Sequence, residues 1–239
     1  SVDSLVQLHG PARERLLHFL LDHKFLFSSQ LPSEGALLPP MEIHLQPNAI
    51  LPSELPRHFS PRIQNEIEIE VRQLLSEGII VKSHSACASP VVPVKKPDGS
   101  TRLCIDYTKL NVVTIPARFP IPRVKDILQS LKGKRYFGKL DILKGYYQCI
   151  MNPDHTYLTA FMTASGLYEF VRCPMGLRNA VEYFQRSMFG VLNDLIMNAC
   201  FAYVDDCLIF GETEDIFVEN VIKVLTRLAD HNLRLVKNG

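Results

Sequence analysis

The chain has 239 residues, 46% hydrophobic and 21% charged, with a formal net charge of +1. That length buries a sizeable core in one large domain or two small ones. No run approaches the roughly 18 apolar residues of a membrane span, and no basic-then-apolar leader opens the chain.

The first residue is Ser, which fits a piece cut from something longer. Six cysteines (Cys87, Cys104, Cys149, Cys173, Cys200, Cys207) are scattered without a C-x-x-C pair. They read as reduced core thiols of an intracellular protein. The eight histidines form no metal-ligand pattern, and H-E-x-x-H is absent. Charge is unevenly spread: residues 95–144 carry 12 Lys/Arg against 4 Asp/Glu, whereas both flanks are net acidic. A basic middle can hold a polyanion on one face; a plain solvated surface is the alternative.

Taken in chain order, residues 11–27 predict an amphipathic helix opened by Pro11. Residues 28–61 hold seven of the sixteen prolines and read as an extended, wrapping segment. A helix follows with Ser60 as N-cap, Pro61 in its first turn and Gly78 at its end. Its apolar stripe is Ile63, Ile67, Val71, Leu74 and Leu75. PVVPVKKPDGSTRLCIDY (90–107) predicts two strands around a PDGS turn. A short helix is expected over Pro122–Leu131, stopped by Gly133. YFGKLDI (136–142), YYQCIMN (146–152), TYLTAFMT (156–163) and LYEFVRC (167–173) read as strands. Long helices are expected over 179–196 and 215–231, on either side of a hairpin in FAYVDDCLIF (201–210). This mixture of strands and helices favours an α+β fold with an antiparallel sheet.

Three carboxylates stand out. Asp205 and Asp206 sit between two apolar runs, where Asp is also simply a good turn residue. Asp141 lies inside the apolar strand KLDIL, where an unpaired charge is costly. A salt bridge to Lys139 or Lys144 would satisfy it. Alternatively, strand 136–142 lies beside the hairpin, and all three acids face one cleft. Divalent cations would then neutralise them, and hard oxygen ligands favour Mg²⁺ or Mn²⁺. Two such ions suit in-line nucleotidyl transfer.

The ordered set LDILKGYYQ, PMGL, FQRSM and YVDD resembles the polymerase domain of reverse transcriptases, in the pattern of gypsy-like LTR retrotransposons. SEGIIVKSHSACASPVVPVKKPDGSTRLCIDYTKLN is similar to the family's fingers region. The match covers about 42–236, with 1–41 resembling a linker that follows a protease. The resemblance implies a right-hand polymerase fold reduced to fingers (about 60–135) and palm (136–239), an antiparallel palm sheet backed by helices, and no thumb. It implies RNA-directed DNA polymerase activity with two Mg²⁺ or Mn²⁺ ions. The partners it implies are a primed RNA or DNA template, deoxynucleoside triphosphates and the rest of a Pol polyprotein. It implies no membrane, and an intracellular place: cytoplasm, virus-like particle or nucleus. A non-catalytic nucleic-acid-binding remnant of such an element is the alternative, and a nuclease is a third.

By the same resemblance, Asp141, Asp205 and Asp206 are the catalytic triad, and the Ile142 carbonyl completes one metal shell. Tyr146 is the steric gate against a ribose 2′-OH. Arg102 and one of Lys95 or Lys96 grip the β- and γ-phosphates. Met175 packs against the incoming nucleotide, and Tyr203 and Val204 touch the primer end. The chain departs from the family pattern at Thr108 (DYTKLN for DYRKLN), at Val181 in place of a proline, at Lys144 and at Met175. Without a thumb, weak processive synthesis is expected.

Overall fold

The computed structural model describes residues 8–95, 99, 101–120 and 124–237. Lys96, and all of the PDGS turn except Gly99, lie outside the described residues. The helices are α1 (Gly10–Asp22), α2 (Pro61–Ser76), α3 (Thr108–Val113), α4 (Val124–Ser130), α5 (Gly145–Gln148), α6 (Ala180–Leu192) and α7 (Glu214–Asp230). The strands are β1 (Phe27–Ser28), β2 (Ile80–Lys82), β3 (Ser89–Lys95), β4 (Thr101–Ile105), β5 (Tyr136–Asp141), β6 (Phe161–Thr163), β7 (Gly166–Phe170), β8 (Cys200–Tyr203), β9 (Asp206–Gly211) and β10 (Leu235–Val236). The chain forms two units that interleave in sequence: residues 39–117 with 149–181, and residues 1–38 with 118–148 and 182–239.

The 39–117/149–181 unit is built on a five-stranded sheet in the order β2-β7-β6-β3-β4. β3 and β6 run parallel, and the other neighbours are antiparallel. The sheet is therefore mixed, not antiparallel throughout. A long crossover separates β3 from β6, and only such a connection lets two strands run the same way. Helix α2 buries Ile67, Val71 and Leu74, one face of a 3.6-residue repeat. Pro61 lies in its first turn, and Gly78, at φ +64, lets the backbone leave it. Ser60 is the N-cap residue, yet its hydroxyl makes no capping bond. Inside this unit Tyr107 is buried and donates its hydroxyl to the Thr159 carbonyl at 2.9 Å.

The 1–38/118–148/182–239 unit is built on the antiparallel sheet β5-β9-β8. Helix α7 packs on one face. Gly138 and Gly211 lie against Phe217, and a Cβ at Gly138 would stand 2.9 Å from its ring. Thr213 caps α7 by accepting from the Ile216 amide, with Glu214 and Asp215 in the first turn where the helix dipole favours acids. Helix α1 buries Ala12 and Leu16, and Arg15 pairs with Asp215 on α7 at 3.0 Å. β1 runs parallel to β10, so a segment read as a linker is hydrogen-bonded into this unit.

Two expected strands are corrected. Residues 146–152 open as the helical turn α5, and only Ile150 and Met151 make isolated bridges. Residues 156–159 belong to a 3₁₀ turn over Pro153–Thr159, leaving β6 three residues long. Tyr and Ile in the first place and Thr and Tyr in the second favoured strand, but strand propensity yields to context. Asn152 caps the 3₁₀ turn by accepting from the Asp154 amide, and Pro153 starts it.

Candidate active site

β5 and β9 pair with Asp141 directly opposite Asp206. Opposed residues of an antiparallel pair share a face, so the register alone brings these two carboxylates together. The turn between β8 and β9 is stitched to the end of β5 by the Ile142 amide, which donates to the Asp205 carbonyl at 2.9 Å. Ile142 also forms a bridge to Leu235 of β10, which fixes the backbone just after Asp141.

Lys139 lies two residues before Asp141, on the same face of β5. Its ammonium is 3.1 Å from Asp141 Oδ1 and 3.0 Å from Asp206 Oδ1. Lys139 is one of the two lysines the sequence offered for Asp141, and the structure places it there. Hydrogen bonds and charge from Asp206 and Asp141 raise the Lys139 pKa. The Oδ1 of Asp205 is buried and has no hydrogen-bond partner among the described residues. Burial first, and the neighbouring Asp206 carboxylate second, raise its pKa. Lys139 therefore bridges two of the three acids, Asp141 and Asp206. No three His, Cys, Asp or Glu side chains among the described residues stand together as a ready ion site. One ammonium thus neutralises two facing carboxylates that would otherwise repel.

Asp205 is walled by Gly145 and Phe184. A Cβ at Gly145 would overlap Asp205 Oδ1 and come within 3.0 Å of the Phe184 ring. Lys144, at φ +43, turns the chain sharply before α5. Its side chain is exposed. Tyr146 follows on α5, buried, with its ring centre 5.4 Å from that of Phe184. Tyr203 is 55% exposed at the end of β8, and Val204 takes the left-handed conformation at φ +52.

Gln185 of α6, fully buried, holds this turn. It donates to the Ala202 carbonyl at 2.7 Å and accepts from the Val204 amide at 2.8 Å. A β-branched residue at positive φ is strained, and the Gln185 contact offsets that strain. Gln148 does the same for α5, donating to the Leu143 and Arg234 carbonyls and accepting from the Arg234 amide. Neither glutamine was singled out from the sequence, although both sit in the quoted runs FQRSM and LKGYYQ. A polar side chain at an otherwise apolar helical position was the available signal.

The remaining site residues belong to the other unit. Lys95 and Arg102 project from opposite faces of the β3–β4 hairpin, because Lys95 pairs with Thr101 and Arg102 with Val94. Lys95 is bound to Glu66 of α2 at 2.5 Å and to Thr101 Oγ1 at 2.8 Å. The structure therefore separates Lys95 from Arg102, which is exposed; Lys96 lies outside the described residues. Met175 is 47% exposed in the loop after Pro174. Thr108 donates to Asp106 Oδ1 at 2.6 Å, and Arg57 binds Asp106 at 3.0 Å, so a cation from elsewhere serves this aspartate. Helix α6 begins at Ala180, with Val181 exposed in its first turn.

A family model described as reverse transcriptase (RNA-dependent DNA polymerase) matches residues 94–238. The chain is 44% identical over 176 residues to a retrovirus-related Pol polyprotein from transposon 297 of Drosophila melanogaster, covering 71% of this chain and 16% of that protein. It is 41% identical over 179 residues to the Pol polyprotein from transposon gypsy of the same species, covering 72% and 17%. A crystal structure of prototype foamy virus protease-reverse transcriptase superposes with a TM-score of 0.81 at 21% identity, covering 98% of this chain and 31% of that one. The chain thus spans about a sixth of the length of the curated relatives it matches. Its fold is that of a right-hand polymerase, and the chain belongs to the reverse transcriptase family of retrotransposon Pol polyproteins.

Proposed function

We propose that this chain carries the nucleotidyl-transfer centre of an RNA-directed DNA polymerase, extending a primer with deoxynucleotides on an RNA or DNA template. The observation that carries the reading is the register of Asp141 against Asp206, with the turn that bears Asp205 hydrogen-bonded to Ile142. Support for the template comes from a structural neighbour, the foamy viral protease-reverse transcriptase, which has been solved in complex with an RNA/DNA hybrid.

Members of this family depend on divalent metal, and the residues present fit one. A single cationic atom, Lys139 Nζ, already sits between two carboxylates, and a third carboxylate oxygen is buried without a partner. Asp141, Asp205 and Asp206, with the Ile142 carbonyl, would hold two Mg²⁺ or Mn²⁺ ions. Bound there, such ions would lower the pKa of the attacking hydroxyl and neutralise the leaving pyrophosphate. The protein's own part is to fix these oxygens in place through the β5–β9 register and the Gln185 clamp. Tyr146 is proposed as the steric gate: its ring is buried and packs against Phe184, and a ring held there would clash with a 2′-OH. Arg102 and Lys96 are the proposed phosphate grips, Met175 the nucleotide platform, and Tyr203 and Val204 the primer contacts.

No helix among the described residues is long and apolar enough to cross a membrane. We place the protein inside the cell, in cytoplasm, virus-like particle or nucleus, as part of a longer polyprotein.

Primer extension tests the reading. With a primed RNA template, Mg²⁺ and deoxynucleotides, the chain should add nucleotides, and Asp205→Asn should reduce the rate at least about 10²-fold. Extension that survives Asp205→Asn and Asp141→Asn unchanged would refute it. A nuclease would instead cut labelled DNA with no nucleotide present.

A further inference from the structure

We propose that Lys139 is an internal counter-ion that holds Asp141 and Asp206 together before divalent metal arrives, and that competes with the metal for them. The inference rests on the reading of these aspartates as metal ligands. Directly opposed like charges on neighbouring strands repel, and here the register forces two carboxylates to face each other. Lys139 answers that repulsion from its own strand. Its position two residues before Asp141 puts it on the same face, and its stem reaches diagonally across to β9. One ammonium contacts both acids, at 3.1 and 3.0 Å, while its side chain stays 58% exposed.

The exposure matters for the function. A lysine ammonium is a compact, strongly hydrated point charge on a flexible stem, and exposed ion pairs are weak. Such a group neutralises the pair yet yields to a divalent ion with oxygen ligands. An arginine fork at this place would bind the two carboxylates more firmly, and an apolar residue would leave them repelling. When metal binds, the displaced ammonium remains on the face that carries the aspartates.

The test compares the wild-type chain with Lys139→Gln and Lys223→Gln, reading Mn²⁺ affinity directly from the spin-resonance signal of free Mn²⁺. Lys223, an exposed lysine paired with Glu219 on α7, controls for the loss of one positive charge. Lys139→Gln should tighten Mn²⁺ binding roughly threefold to tenfold, as loss of two weak exposed pairs implies. Lys223→Gln should change it less than about twofold. Equal tightening by both variants, or none by Lys139→Gln, would overturn the proposal.

A second reading needs no metal. In the metal-free chain, the melting temperatures of Lys139→Gln, Asp206→Asn and the double variant should be non-additive. Additive shifts would sink the counter-ion role alone. If the wild-type chain binds no Mn²⁺, the metal-site reading fails and the competition with it.

Discussion

Gly145 stands so close to Asp205 that a single added methyl group would overlap the carboxylate oxygen. The glycine after the strained Lys144 is therefore the floor on which Asp205 rests. Gly145→Ala should push the Asp205 side chain out of its place and weaken Mn²⁺ binding at least about tenfold. Overpacking of this kind costs about 1–3 kcal/mol. Calorimetric titration with Mn²⁺, paired with urea unfolding, checks both.

Asp205 should trade stability for function. Its charge is held where burial and the Asp206 carboxylate both disfavour it. Asp205→Asn is expected to stabilise the metal-free chain at neutral pH by about 1 kcal/mol while abolishing its share of Mn²⁺ binding. Thermal melts with and without Mn²⁺ measure this. Metal should raise the melting temperature of the wild type and leave that of the variant nearly unmoved.

Gln185 clamps the turn through two backbone partners, the Ala202 carbonyl and the Val204 amide. Gln185→Leu leaves both unsatisfied in a buried place, at a cost of about 2–4 kcal/mol. Hydrogen exchange at Val204 should accelerate more than exchange at the centre of β9. Equal acceleration across the whole sheet would mean that Gln185 supports the core and not the turn.

Glu66 predicts the acid limb of stability. Hydrogen bonds from Lys95 and Thr101, with a smaller one from Arg62, lower its pKa from the usual 4.5 to about 2. A depressed carboxylate pKa stabilises the fold above the unfolded value. That contribution fades as pH falls from about 4.5 through about 2. Wild type should therefore exceed Glu66→Gln in unfolding midpoint at pH 6, and the gap should close by pH 2. A gap that is constant with pH would assign the effect to packing.

The strand YFGKLDI and the VDD turn were legible because period-two apolar runs around a turn pair admit few alternatives. Their adjacency was one of two readings left open by the costly charge of Asp141, and the family resemblance implied it; the register of Asp141 against Asp206 came only with the structure. Three further things were hidden. Tyr146 sits on a helical turn because Lys144 adopts positive φ, a backbone choice that no residue preference announces for lysine. Gln148 and Gln185 act through backbone atoms that lie up to 86 residues away in sequence, beyond the reach of any local pattern. Lys95 and Arg102 face opposite ways because their register across the hairpin places them out of phase, and spacing alone left the choice of lysine open.

The account stands or falls on what Asp141, Asp205 and Asp206 hold. Crystals of the chain soaked in Mn²⁺ and measured near the manganese absorption edge would locate the ion by anomalous scattering. The account predicts a peak among these three carboxylates, with the Lys139 ammonium displaced from Asp141 and Asp206. No manganese peak there, with Lys139 still bridging the pair at saturating Mn²⁺, would contradict it.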